Sequence, residues 1–185
     1  MLEFQERGEV AAFEELFQRH RLPLYRYLHG LSRSAEIAEE TSQHAWLKVI
    51  EAARAARYDA TAQSSFKTWL YTLARNQYID HYLRAHARSR TVSNSEELLM
   101  DAFEDADTVD ARVDRERLAG TLERVIAQLP VEQREVITLW AQGHELTVIA
   151  LIVGVPWETV VSRKKYALAK LRAALETAGV AQGDM

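Results

Sequence analysis

The chain has 185 residues and no Cys, which excludes disulfides, thiol catalysis and Cys-based zinc sites. Its length suits one large domain or two small ones. No apolar run approaches the roughly 18 residues of a membrane span and the N-terminus carries no secretory apolar segment, so a cytoplasmic protein without membrane insertion is expected. The net charge of −4 hides a segregation: residues 1–65 carry −2, 66–92 carry +4, 93–117 carry −6, 118–175 carry +2 and the tail −2. Fields act over a Debye length of about 10 Å, so phosphate attraction is decided locally, and two mildly basic modules flank an acidic spacer.

Apolar residues recur with helical period from the start. Phe13, Leu16 and Phe17, then Leu24, Tyr27, Leu28 and Leu31, follow the i, i+3, i+4, i+7 template; Trp46, Val49, Ile50 and Ala53 repeat it. Residues 58–65 (YDATAQSS) form a short polar loop suited to closing around a flipped base. The stretch 64–88 (SSFKTWLYTLARNQYIDHYLRAHAR) predicts a helix on which Phe66, Trp69, Leu70 and Leu73 belong to a core. On it aromatics and bases interleave, leaving Lys67, Arg75, Asn76, Tyr78 and Arg84 to face a ligand. Aromatic faces stack on unpaired bases while Arg and Lys track phosphates. A core helix with a solvated basic face is the competing explanation of the same pattern. Asn76 and Asp80 lie one turn apart on one face, and Asn76 can both donate to and accept from a base edge.

Residues 89–114 (SRTVSNSEELLMDAFEDADTVDARVD) break the pattern, being acidic and without a continuous apolar face; they are expected to form an inter-domain linker with at most a helical turn around Leu98–Phe103. Helical periodicity resumes with Leu118, Leu122, Val125, Ile126 and Leu129, then Val136, Leu139 and Trp140. No segment alternates with period two. The expected fold is all-α: two small helical domains, 1–88 and 115–185, joined by the acidic linker.

Residues 146–171 (LTVIALIVGVPWETVVSRKKYALAKL) have the layout of a helix-turn-helix. Ala150 is small where two helices cross, Gly154 stands where the turn favours positive φ, and Val160 anchors a second helix beginning at Pro156. The outer face of that helix carries Arg163, Lys164, Lys165, Lys170 and Arg172, free for a major groove. An ordinary helical hairpin would show a similar short pattern. No Gly-rich phosphate loop occurs, and His81 and His86 do not share a helix face as a ligand pair would. No catalytic constellation, metal site or cofactor is expected, and the chain reads as a non-enzyme.

Three segments in order resemble a bacterial sigma factor of the extracytoplasmic-function group, in the sigma-70 family. The stretch AEETSQHAWLKVI (38–50) resembles the helix that docks on the clamp coiled coil of RNA polymerase. FKTWLYTLARNQYIDHYLR (66–84) resembles the segment that melts and reads the minus-ten promoter element, and residues 122–171 the domain that reads the minus-thirty-five element. The resemblance implies core-polymerase contacts at Glu40, Gln43, His44 and Lys48. It implies minus-ten contacts at Tyr58, Ser65, Phe66, Lys67, Arg75, Asn76, Tyr78 and Arg84, and minus-thirty-five contacts at Thr159, Ser162, Arg163, Lys164 and Lys165. It further implies core RNA polymerase (clamp coiled coil and flap) and promoter DNA as partners, an anti-sigma factor as a possible third, and a role in transcription regulation under stress. The linker's acidity suits a path through a basic RNA-exit channel.

The chain departs from the family pattern at several positions. Glu40 and His44 stand where the family usually has Asp and Glu; Val148 replaces an acidic residue and Glu158 a Gly. Val161, Tyr166 and Leu168 stand where basic residues are common, which puts the usual minus-thirty-five contacts in question. Two other functions fit part of the sequence. A stand-alone helix-turn-helix regulator would explain residues 118–175 only, and a sigma mimic that titrates a regulator would explain the unusual recognition helix.

Overall fold

A computed structural model describes residues 1–59, 65–88, 120 and 122–177, with the helix alone described over 82–88. The acidic linker, the turn expected at Leu98–Phe103, loop residues 60–64, the side chain of Arg84 and the tail 178–185 lie outside the described residues.

Every regular element among the described residues is an α-helix, as the periodicity predicts. They are α1 (Leu2–Arg7), α2 (Val10–Ser32), α3 (Ala35–Arg54), α4 (Phe66–Arg88), α5 (122–128), α6 (Val131–Ala141), α7 (Leu146–Val153) and α8 (Trp157–Thr177). Local chemistry sets the boundaries. α2 ends on Arg33, which takes the left-handed conformation (φ 61°) and returns its N–H to the His29 carbonyl. That conformation costs a residue with a Cβ about 1–2 kcal/mol. Two residues on, the Ser34 side chain caps α3 by accepting from the Ile37 N–H. α6 and α8 each follow a proline, Pro130 and Pro156, whose missing N–H forfeits no bond at a helix start.

α2, α3 and α4 pack together around Leu24, Tyr27, Leu28, Leu31, Ala45, Trp46, Val49, Leu70, Tyr71 and Ala74. Each large apolar side chain fully buried here contributes about 1.5–3 kcal/mol. α1 folds back over this unit. The Phe4 ring lies tilted against Phe13 at 5.0 Å, and the Gln5 side-chain amide pairs with the Tyr58 backbone, donating to its carbonyl (3.2 Å) and accepting from its N–H (3.1 Å).

The larger apolar core does not stop at the N-terminal module. Val136 and Leu139 of α6, Ile149, Ile152 and Val153 of α7 and Val160 of α8 belong to the same cluster. A second, smaller cluster unites Leu129, Ile137, Ala167 and Leu171 within the C-terminal module. The modules meet where α6 lies on α2 and α7 on α4. Gly30 allows the first approach: a Cβ there would sit 3.1 Å from the Thr138 methyl.

Candidate polymerase and nucleic-acid interfaces

Ala38, Thr41, Ala45, Trp46, Val49, Ala52 and Ala53 turn one face of α3 inward. The opposite face therefore presents Glu40, Gln43, His44 and Lys48, all exposed; for Gln43 and Lys48 the apolar stripe of Trp46, Val49, Ile50 and Ala53 predicts it. Gln43 donates to Glu39 (3.4 Å), Lys48 bonds Glu51 (2.8 Å), and Glu40 lies 3.7 Å from His81 of α4. Beside this face an apolar groove of about 720 Å³ runs between α2 and α3. Phe13, Phe17, Leu22, Tyr25, Trp46, Leu47 and Ile50 line it, and Arg21, Glu39, Ser42 and Gln43 complete its lining. Leu22 and Leu47, 48% and 55% exposed, add apolar surface to its lining.

The residues expected to meet minus-ten DNA divide into two sets. Ser65 and Asn76 are exposed, and Phe66 and Lys67 half-buried. Ser65 caps α4, bonding the Thr68 N–H and hydroxyl through its own hydroxyl. Asn76 shares the outward face with Asp80. By contrast Tyr58 is buried, its ring edge-on to Phe66 (6.0 Å) and Trp69 (5.1 Å), and Tyr78 is buried too. Tyr71, not singled out as a contact, is fully buried, with its hydroxyl donating to Gln142 (2.8 Å). Phe66, Trp69 and Leu73 pack against the core from half-buried positions, and Leu70 is fully inside it.

Arg75 turns to the other module. Its Nε donates to Glu135 of α6 at 2.7 Å, and the Tyr27 hydroxyl donates to the same carboxylate oxygen at 2.9 Å. The Glu135 side chain is 6% exposed and that of Arg75 21%. A buried carboxylate is tolerable only when paired and hydrogen-bonded, and both conditions are met here. Burial, then the charge of Glu135, pushes the Tyr27 hydroxyl well above its usual range, so it remains a donor. Around this trio Arg134 donates to the Leu31 carbonyl (3.1 Å), Arg33 to the Ala127 carbonyl (3.2 Å) and Gln142 to the Pro23 carbonyl (3.1 Å).

His144 closes the same seam, its ring 4.7 Å from Tyr71 and its buried Nε2 without a partner among the described residues. Burial, with a smaller contribution from Lys67, lowers its pKa from 6.5 to about 4. The folded chain thus holds the neutral imidazole. The stability this brings is complete above the unfolded value near 6.5 and is lost as pH falls from there toward about 4. Urea unfolding at about pH 7 and about pH 5 should show a smaller acid-induced loss in His144→Phe than in the parent. Equal losses would exclude His144 as a contributor.

α7 and α8 meet at a 106° bend, within the 90–120° range of a helix-turn-helix. Gly154 takes φ +70°, with its N–H on the Ala150 carbonyl, and Val160 is fully buried. Ser162 and Lys165 are exposed, whereas Thr159, Arg163 and Lys164 are half-buried. Lys164 folds back over Trp140 of α6, 3.8 Å from the ring centre, a cation–π contact. Ser162 bonds the Glu158 carbonyl (2.9 Å). Of the atypical positions, Leu168 packs on the smaller core and Tyr166 is exposed. Among the described residues no single helix is long and apolar enough to cross a membrane.

The described residues of one chain thus combine an apolar groove with a polar rim, an aromatic-basic helix and a helix-turn-helix, an all-α fold of two helical modules. Residues 16–89 match the family model of sigma-70 region 2 and residues 125–173 that of sigma-70 region 4. The chain is 34% identical over 175 residues to the ECF RNA polymerase sigma factor SigL of Mycobacterium tuberculosis, covering 94% of each chain. It is 33% identical over 165 residues to SigM of the same species, covering 89% of this chain and 77% of that one. The fold is similar to that of sigma factor RpoE from Bartonella quintana, solved in complex with the anti-sigma factor NepR (TM-score 0.71, 21% identity, 89% of this chain and 97% of that one covered). The chain belongs to the extracytoplasmic-function group of RNA polymerase sigma factors, the alternative sigma factors of the sigma-70 family.

Proposed function

We propose that this chain binds core RNA polymerase through the α2–α3 groove and its rim and directs initiation at promoters read by α4 and α8. Glu40, Gln43, His44 and Lys48 would contact the clamp coiled coil, with Leu22 and Leu47 as the apolar seat between them. Asn76, Lys67, Arg75 and the residues about the 58–65 loop would take the minus-ten element. Thr159, Ser162, Arg163, Lys164 and Lys165 would take the minus-thirty-five duplex. The protein works in this reading as a cytoplasmic initiation factor rather than as a catalyst.

The observation that carries the reading is that one chain bears both the apolar groove beside an exposed polar helix face and the helix-turn-helix. A stand-alone regulator would need only the second. Consecutive Arg163, Lys164 and Lys165 span about 200° of helix surface at about 100° per residue, so they cannot all enter one groove. At least one grips phosphate and at most two reach bases.

Run-off transcription with core polymerase, on promoters found by chromatin mapping of this protein, tests the function. Gln43→Glu with Lys48→Glu should weaken competition for core at least about tenfold, which corresponds to about 1.4 kcal/mol, with helical content intact. A double variant that competes as well as the parent would remove these residues from the interface.

A further inference from the structure

The burial pattern of α8, the second helix of the helix-turn-helix, fixes which of its sides can meet DNA. Val160, Ala167 and Leu171, at i, i+7 and i+11, are buried. At about 100° per residue the opposite side carries Glu158, Ser162, Lys165, Tyr166 and Ala169, and all of them are exposed. The conspicuous basic run is off-centre: Arg163 and Lys164 are half-buried, and Lys164 lies over Trp140. The outward stripe therefore begins with an acid. Glu158 is the second residue of α8, at the end of a recognition helix that reaches base edges. Its backbone carbonyl accepts from Ser162 (2.9 Å), but among the described residues no hydrogen bond or ion pair engages its carboxylate. Glu158 also stands where the family pattern has Gly, which offers no side chain to a base.

We propose that Glu158 is a specificity determinant: its carboxylate accepts from an amino group in the major groove and selects a cytosine in the minus-thirty-five element. The proposal rests on the assignment of α8 as the reader of that element.

The choice of cytosine follows from acceptor chemistry. An ionised carboxylate only accepts. Guanine presents N7 and O6 and thymine O4, all acceptors, so either would repel it. Adenine presents an N6 amino group, but between two acceptors, its own N7 and the O4 of the paired thymine. The N4 amino group of cytosine has an acceptor, the O6 of guanine, on one side only. Glu158 is also repelled by phosphates and so weakens binding to every sequence. Lys165, Lys170 and Arg172, exposed on the same helix, offset that cost without reading sequence. The acid therefore works as much by penalising wrong bases as by rewarding the right one. An acid in the first turn also favours the helix through its dipole, a role indifferent to DNA sequence.

The test separates the two roles. Holoenzyme assembled from the full chain and core polymerase is offered promoter fragments with a fixed minus-ten region, taken from the mapped promoters, and a randomised minus-thirty-five region. Bound fragments are sequenced. The parent should enrich a C·G pair at one position by about five- to 150-fold over the other pairs. Glu158→Gly should level that position and leave the others as in the parent. Glu158→Gln should move the preference there to adenine, because an amide that both donates and accepts matches the N6–N7 edge.

The same preferences at every position in all three proteins would overturn the proposal. So would a uniform loss across all sequences in both variants, which is what a helix-end role alone predicts, and a parental preference for another base at the position the variants change. A parent that enriches no minus-thirty-five sequence yet supports run-off from the fixed minus-ten region would instead refute α8 as the reader of that element, and the proposal with it.

Discussion

Trp46→Ala should destabilise the folded chain by about 3–5 kcal/mol, while Leu47→Ala, one residue on, should change stability by no more than about 0.5 kcal/mol and still impair binding to core polymerase. The contrast follows from the helix. Trp46 points inward, where Phe13 and Phe17 meet its ring edge-on at 5.9 and 5.0 Å, and removing it leaves a cavity between α2 and α3. Leu47 is 55% exposed and gives little to the fold. Its value lies in the groove, where a partner's apolar side chains would bury it. Urea denaturation measures the first effect and competition for core polymerase the second. Unimpaired competition by Leu47→Ala would remove the groove from the polymerase interface.

Asn76→Ala should reduce open-complex formation by about five- to 150-fold, the equivalent of about 1–3 kcal/mol for a lost base contact, while closed-complex binding stays near that of the parent. The asymmetry arises because an amide reaches a base edge only after the base has left the stack. Asn76 is exposed and stands apart from the contacts that engage Arg75, so its replacement leaves the fold and the meeting of the two modules unperturbed. Permanganate reactivity of promoter thymines reads the open complex and filter binding the closed one. Equal loss of both would show that Asn76 contacts duplex DNA instead.

Elements governed by local chemistry were legible in the sequence. The turn at Gly154 follows from the need for positive φ, and the exposure of Gln43 and Lys48 from the inward stripe of Trp46, Val49 and Ala53. What could not be read depended on the meeting of distant segments. Glu135 looks like a solvated charge on a short helix. Only the packing of α6 on α2 and α4 buries it, 108 residues from Tyr27 and 60 from Arg75. A faint signal existed, since Glu135 stands one turn before buried Leu139 on the same face. Likewise Tyr58 and Tyr78 share the aromatic composition of a stacking surface, and composition does not reveal that their rings face inward. The clasp of Gln5 on the Tyr58 backbone joins residues 53 apart and leaves no periodic trace.

The buried carboxylate also constrains how this protein can be re-engineered. Grafting the C-terminal half onto the N-terminal half of a relative is an obvious route to hybrid promoter specificity. In such a chimaera Glu135 would arrive without its hydroxyl and guanidinium donors unless Tyr27 and Arg75 were carried with it, and Gly30 would have to face Thr138. A hybrid that ignores these four positions would strand a buried charge or force the two halves apart where α6 meets α2. The trio and the glycine are therefore the junction residues to transplant as a set.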